Sequence, residues 1–293
     1  MTGKEPKVFE TPFDIENLRE PASAPLDTDN HRFIFVGGLH RSGTSIVHRL
    51  IREHPQVTGF RETGSPEDEG QHLQTVYPVA KLFGGAGRFA FDPGAALTEE
   101  SELITAKARR RLLCEWRPYL DEAKPNIVEK SPPNLIRSRF LQALFPGCHF
   151  AFVFRHPLAV AMATMKWSKT TIIELIFHWI VAHRILVSDL PLLHHAIFVR
   201  YEDLVSNPEG VTRKLYSAIG LSPHKVQETV IDANRRYFDQ VDTDSEELRR
   251  IAATLWQDSI AERLGYRLTW PFFDTASDRI HTKEQFLELL APR

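Results

Sequence analysis

Residues Phe33-Ile34-Phe35-Val36-Gly37-Gly38-Leu39-His40-Arg41-Ser42-Gly43-Thr44-Ser45 read as a short apolar strand that runs into a glycine loop and then opens a helix. Such a loop is suited to an anion. Glycines let the backbone curl so that its N–H groups point inward, and the helix from Ser42 to about Glu53 adds the positive end of its dipole at the same place. Gly38 and Gly43 keep the glycine spacing of a G-x-x-x-x-G-K-[ST] triphosphate loop, but Thr44 follows where lysine would stand. The cation is Arg41, two places before the second glycine. The loop can cradle a 5′-phosphate, but it lacks the lysine–Ser/Thr pair of a magnesium triphosphate site.

The rest of the chain sets this loop in an α/β context. Four apolar runs read as strands, at 33–36, 126–128, 150–154 and 197–199, each followed by a helical pattern, as in parallel βαβ units. Helices are expected near Thr44–Glu53, Glu67–Leu82, Ser101–Leu120, Pro133–Leu144, Leu158–Lys166, Thr171–Asp189, Pro208–Ile219 and Ser245–Leu264. In such sheets ligands sit beyond the carboxyl ends of the strands. Arg41, Lys130, Arg155 and Tyr201 stand just there, one after each strand.

With 293 residues, 42% of them hydrophobic, the chain suits one enzyme domain, spanning 31–293 behind an N-terminal arm at 1–30. Helical lids over an acceptor site are expected at about 63–120 and 167–193. The net charge of −2 supplies no general field for nucleic acid. Cys114 and Cys148 form neither a disulfide framework nor a metal-ligand spacing, so both read as core fillers in a reducing compartment. The polar, proline-bearing start reads as an arm rather than a leader. The most apolar segment, Thr171–Leu193, is broken by Glu174, His178, His183, Arg184 and Asp189, which indicates a buried helix and no membrane span. These features together point to a cytoplasmic location.

The segment His40-Arg41-Ser42-Gly43-Thr44-Ser45 resembles the PRSGT-type loops of sulfotransferases that use 3′-phosphoadenosine 5′-phosphosulfate (PAPS). Its arginine form is similar to the tyrosylprotein and other Golgi-type members and to bacterial relatives, with His40 where proline is common. The resemblance covers about Phe33 to Leu221 and is thin beyond Asp232. It implies a P-loop-like three-layer α/β fold, a central parallel sheet flanked by helices. It also implies transfer of the sulfonyl group of PAPS to a hydroxyl of a small-molecule, carbohydrate, lipid or natural-product acceptor, without a metal, in a bacterial enzyme.

The resemblance also implies roles. Gly38, His40, Arg41, Ser42, Gly43, Thr44 and Ser45 would hold the 5′-phosphate. Arg155, in Phe154-Arg155-His156-Pro157, would bind the 3′-phosphate, a dianion matched to a guanidinium fork. A serine usual eight residues later is here Ala163, so either Thr164 substitutes or that phosphate has one donor fewer. Lys130, in Glu129-Lys130-Ser131-Pro132, would offset charge on the leaving oxygen. Tyr201, in Arg200-Tyr201-Glu202-Asp203-Leu204, is either an adenine platform or a structural residue. Glu62 stands at the family's spacing from Arg41 for the base that takes the acceptor's proton, as a carboxylate partly desolvated near the sulfonate. His72, after the acidic run Glu67-Asp68-Glu69, is the alternative base. Two other functions compete, a P-loop nucleotide kinase and a non-catalytic nucleotide-binding protein.

Overall fold

The computed structural model describes residues 31–240 without a break, together with Ala24, Leu26 and isolated positions between 245 and 287. Its main elements, in chain order, begin with β1 (Arg32–Gly38), α1 (Thr44–Arg52), β2 (Val57–Gly59), α2 (Ala106–Trp116) and β3 (Asn126–Lys130). There follow α3 (Ser138–Leu144), β4 (His149–Phe154), α4 (Pro157–Met165), α5 (Ile172–Asp189) and β5 (Ala196–Arg200). The last are α6 (Tyr201–Ser206), α7 (Pro208–Ala218), α8 (Arg235–Phe238) and β6 (His281–Thr282).

The sheet order is β2-β3-β1-β4-β5-β6. The first five strands are parallel, and β6 pairs antiparallel with β5. From β1 the chain moves to one side for β2 and β3, then crosses over to the other for β4 and β5. That reversal opens a crevice at the carboxyl end of β1, where ligands of wound sheets bind.

Alternation along the strands sorts the two faces. Phe33 and Phe35 of β1, Phe150, Phe152 and Phe154 of β4, and Phe198 of β5 lie in one core cluster with Trp116, Phe140 and Trp179 from the covering helices. Ile34, Val36, Ala151, Val153, Ile197 and Val199 lie in the other, with Val47, Leu50 and Ile51 of α1 and Val211 and Leu215 of α7. Successive side chains of a strand point to opposite faces, so a strand covered on both sides must be apolar throughout. Parallel pairing sets Phe35 beside Phe150 and Phe152 beside Phe198, with ring centroids 5.9 and 5.7 Å apart. Each buried phenylalanine contributes about 1.5–3 kcal/mol from apolar burial.

The segment Ile172–Leu192 is long and apolar enough to cross a membrane by length and composition. Within it Leu175, Ile176, Trp179, Ala182 and Leu186 are buried against the sheet. Cys114 and Cys148 are both buried, as core fillers should be.

Several expected elements differ. The helix expected over Glu67–Leu82 is replaced by short 3-10 turns at Pro66–Asp68, Gly70–His72 and Ala80–Phe83. Glu67 and Asp68 take left-handed backbone angles, φ 53° and 51°. The Asp68 carboxylate accepts the N–H groups of Glu62 and Thr63 at 3.1 and 2.8 Å, so the acidic run organises the loop before it instead of capping a helix. The stretch expected as Ser101–Leu120 is helical over Ala106–Trp116, where Thr105 accepts the N–H of Ala108 and so caps the helix. Pro132 and Pro133 begin a 3-10 turn, and α3 starts only at Ser138. Strands β2 and β6 join the four expected. Half of the residues of the helix expected at Ser245–Leu264 lie outside the described residues, as does the arm at 1–30 apart from Ala24 and Leu26.

Burial makes stability depend on pH in a definite direction. His48, His178 and His183 are buried, and burial lowers their pKa values to about 3, about 3 and about 4. An imidazole with a depressed folded pKa stabilises the fold above its unfolded value of about 6.5. That stability is lost as pH falls from there toward the folded value, at about 1.4 kcal/mol per pH unit for each group. Burial raises Glu129 to about 7, which works in the opposite sense and offsets part of that slope, while His149, lowered to about 4, adds to it. The urea midpoint should therefore fall steadily from pH 6.5 to pH 5, and His183→Gln should make that fall shallower. An equal slope in parent and variant would contradict the burial of a neutral His183.

Candidate active site

Each element that ends at the crevice delivers one functional group. β1 ends at Gly38, whose Cα faces the neighbouring strand so closely that an added Cβ would lie 2.6 Å from the carbonyl oxygen of Val153. Arg41 takes a left-handed φ of 68°. Ser42 turns its hydroxyl back to the carbonyl of Leu39 at 2.7 Å, so this side chain braces the loop. Gly43, at φ 104°, packs on the ring of Tyr201, where a Cβ would come within 2.7 Å of Cδ2. Helix α1 then starts without a side-chain cap. Its first-turn N–H groups point toward the loop, as in an anion site. Thr44 is buried, and the Ser45 hydroxyl lies 3.4 Å from the Glu67 carboxylate.

Arg155, at the end of β4, is 4% exposed. Its Nη1 donates to the carbonyl of Arg41 at 2.8 Å and its Nε to Oδ1 of Asn234 at 2.7 Å. Its guanidinium lies 4.3 Å over the ring of Tyr201. Its carbonyl accepts from Trp179 Nε1 of α5 at 3.2 Å. The remaining nitrogen, Nη2, is buried and has no hydrogen-bond partner among the described residues. Arg41 Nε, His40 Nδ1 and Thr164 Oγ1 are buried and unpaired in the same way. A buried donor left unpaired costs about 1–3 kcal/mol, so these are atoms for which a ligand could supply the partner. Polar, cationic and hydroxylic, the set fits an anionic nucleotide.

Tyr201 is 2% exposed, with its ring between Gly43 and Arg155 and its hydroxyl between the Ile231 carbonyl and the Ala233 N–H. Its ring is thus enclosed by the loop and by Arg155. Ala163 packs in a small cluster with Ala159 and Tyr237. Thr164, with its unpaired buried hydroxyl, is the polar group of that pair.

Lys130 is 1% exposed, and its Nζ reaches the Glu67 carbonyl at 2.9 Å and Glu69 Oε1 at 3.2 Å. Glu69 is 5% exposed and also lies 3.6 Å from His72 Nε2. The side chain of His72 is a quarter exposed. Burial lowers its pKa, as do the charges of Lys130 and Lys81, against the opposing pull of Glu69, so it is neutral at pH 7. His40 is shifted down too, again by burial first.

Glu62 corrects an expectation. Its side chain is 77% exposed and paired with Arg61 at 2.9 Å, so it is not a desolvated carboxylate. Its φ of 53° turns the chain outward where β2 has ended. The buried carboxylate beside Lys130 is Glu69, seven positions on, which reads in sequence as an ordinary acidic first turn. Asn234 and Trp179, which hold Arg155, also escape a sequence reading, because no local pattern marks partners 79 and 24 residues away. The motif at β5 divides its work: Arg200 pairs with Asp203, and Glu202 accepts from Asn234 Nδ2 at 2.7 Å and from the His156 N–H at 2.9 Å. Among the described residues no group of three His, Cys, Asp or Glu is placed to hold a metal ion.

A family model described as the sulfotransferase family matches residues 34–225, from the third residue of β1 to just beyond α7. The chain belongs to the sulfotransferase family. It is 24% identical over 201 residues to protein-tyrosine sulfotransferase 2 of Gallus gallus, an alignment covering 64% of this chain and 51% of that protein. The chain thus spans about half the length of the curated relative it matches. Its fold is similar to the sulfotransferase domain of the Synechococcus PCC 7002 olefin synthase, with a TM-score of 0.50 and 15% identity, covering 88% of this chain and 100% of that one. A sulfotransferase from Mycobacterium tuberculosis H37Rv aligns at a TM-score of 0.49 with 18% identity, over 72% of this chain and 71% of that chain.

The loop and its support can be tested together. Gly43→Ala adds a methyl group at φ 104° against the Tyr201 ring. It should lower stability by about 1–3 kcal/mol by urea unfolding. Unchanged stability would mean that the ring does not press on the loop.

Proposed function

We propose that this sulfotransferase uses PAPS as donor and a hydroxyl compound as acceptor. The observation that carries this reading is Arg155: a buried guanidinium, fastened to the loop carbonyl of Arg41, with one nitrogen still unpaired. Such a group suits a second phosphate beyond the one the loop takes, and PAPS differs from common nucleotides by its 3′-phosphate. When bound, PAPS supplies an activated sulfonyl group and leaves as 3′,5′-bisphosphoadenosine.

The chain's own residues then have distinct tasks. Loop N–H groups and the start of α1 hold the 5′-phosphate. Arg155 holds the 3′-phosphate, with Thr164 as the hydroxyl in place of the usual serine. Arg41 and Lys130 balance charge on the sulfonyl and leaving oxygens, in a site where burial strengthens both. The acceptor oxygen forms its bond to sulfur as the sulfur–oxygen bond to the phosphate breaks, and the electron pair of that bond stays on the phosphate oxygen. His72 takes the acceptor's proton. Supporting His72 over Glu62 is its neutral state and partial cover beside Lys130, whereas Glu62 lies in solvent on Arg61. Exposed apolar groups along the lids, Phe91, Trp167 and Phe177, suit an acceptor with an apolar part. Trp167 stands 4.4 Å from the Arg41 guanidinium.

Two measurements test this. By calorimetry, Arg155→Ala should weaken bisphosphoadenosine binding by about 1.5–3 kcal/mol, roughly 10- to 150-fold. Transfer from PAPS to a panel of hydroxyl acceptors should proceed with a chelator present, because Thr44 stands where a magnesium-nucleotide loop has lysine. Phosphoryl transfer from ATP–magnesium instead would make the protein a kinase, and nucleotide binding without any transfer would make it a binding protein.

The base is tested separately. His72→Asn should lower kcat on the order of 10²–10⁴-fold while leaving bisphosphoadenosine affinity near the parent's. Glu62→Gln should retain most activity. A large kcat loss in Glu62→Gln, with His72→Asn still active, would reverse the two roles.

A further inference from the structure

Glu69 is the buried anion nearest both candidate proton and charge handlers, and nothing in the reaction outlined above uses it. Its Oε1 lies 3.2 Å from Lys130 Nζ, and its Oε2 lies 3.6 Å from His72 Nε2 and 2.5 Å from Gln71 Nε2. Gln71 cannot swing away: its Oε1 accepts the Ala80 N–H at 2.9 Å, and its own N–H donates to Ser131 Oγ at 3.0 Å. The carboxylate is therefore held in one orientation, one oxygen toward the cation and the other toward the imidazole.

We propose that Glu69 is a positioning residue that sets Lys130 and His72 relative to one another, aiming the ammonium at the leaving oxygen and the imidazole at the acceptor. This rests on the sulfonyl-transfer reading. An ammonium has three donors. Glu69 and the Glu67 carbonyl take two of those of Lys130, which leaves one directed by the other two. The groups facing Glu69 are Lys130 and Glu129 from β3, His40 from the loop, and His72 and Gln71 from its own turn, with Lys81 near His72 on the next turn. Of these, the cations oppose a proton on His72, and Glu69 is the anion beside it that favours one. Removing that charge must make His72 harder to protonate.

The experiment uses Glu69→Gln in the full chain. By NMR of the ligand-free protein, the His72 titration midpoint should fall by at least about half a pH unit relative to the parent. In turnover, kcat should drop about 10- to 100-fold with donor KM within about threefold. The acid limb of the kcat–pH profile should move to lower pH along with the midpoint. A purely structural role would leave both the midpoint and that limb in place, and this outcome overturns the proposal. Should Glu69→Gln fail to fold, Glu69→Asp keeps the charge but draws it back by one methylene. The midpoint should then fall less but in the same direction, and an unmoved midpoint again overturns the proposal. Bisphosphoadenosine calorimetry on the parent keeps the two readings apart. A parent that does not bind it fails as a PAPS enzyme, whereas a parent that binds and turns over, with His72 indifferent to Glu69, fails only here.

Discussion

One carbonyl ties the two sides of the crevice together. The oxygen of Arg41, in the loop after β1, accepts from Arg155 at the end of β4, 114 residues later. The bond needs Arg41 in its left-handed conformation, a costly state for a residue with a side chain unless its surroundings enforce it. The enforcement comes from below: Tyr201 lies under both Gly43 and Arg155, and Trp179 and Asn234 hold the Arg155 backbone and side chain. Three strand ends and α5 therefore share one buried cation. Its desolvation is offset by fixed hydrogen-bond partners and aromatic faces, with no direct carboxylate partner among the described residues.

What the sequence revealed followed from local physics. Strands covered on both faces had to be largely apolar, and the apolar runs at 33–36 and 150–154 marked where β1 and β4 lie. The loop was legible because its glycines are needed locally, for close approach at Gly38 and for a positive φ at Gly43. Lys130 and Arg155 were legible as strand-end residues because a parallel sheet carries its ligands there.

The misreadings share a different cause. Ser65-Pro66-Glu67-Asp68-Glu69 has the composition of a helix start, and propensity alone favours one. Tertiary partners override it: Asp68 is drawn back to the N–H groups of Glu62 and Thr63, and Glu69 is drawn inward to Lys130. The same loop geometry carries Glu62 outward, so a spacing counted along the chain did not become a buried position. Asn234 acts from a stretch where the family resemblance had already faded, and only the folded chain brings it to Arg155.

The turn that holds His72 hangs on the end of β3 residue by residue. Glu129 accepts the N–H of Gly70, Lys130 meets Glu69, and Ser131 Oγ accepts the N–H of Gln71. Gly70 has no room for a side chain, since a Cβ there would lie 2.5 Å from the Glu129 carboxylate. Glu129 also accepts from the Ser131 hydroxyl and from Asn134, and the Asn134 amide reaches the Val36 carbonyl of β1. A buried network of this kind holds its geometry only when every member is paired. The chain of contacts thus runs from the core strand β1 through β3 to His72 without an exposed link until the imidazole itself. That gives a segment lacking regular helix a position as definite as that of the strand it hangs from.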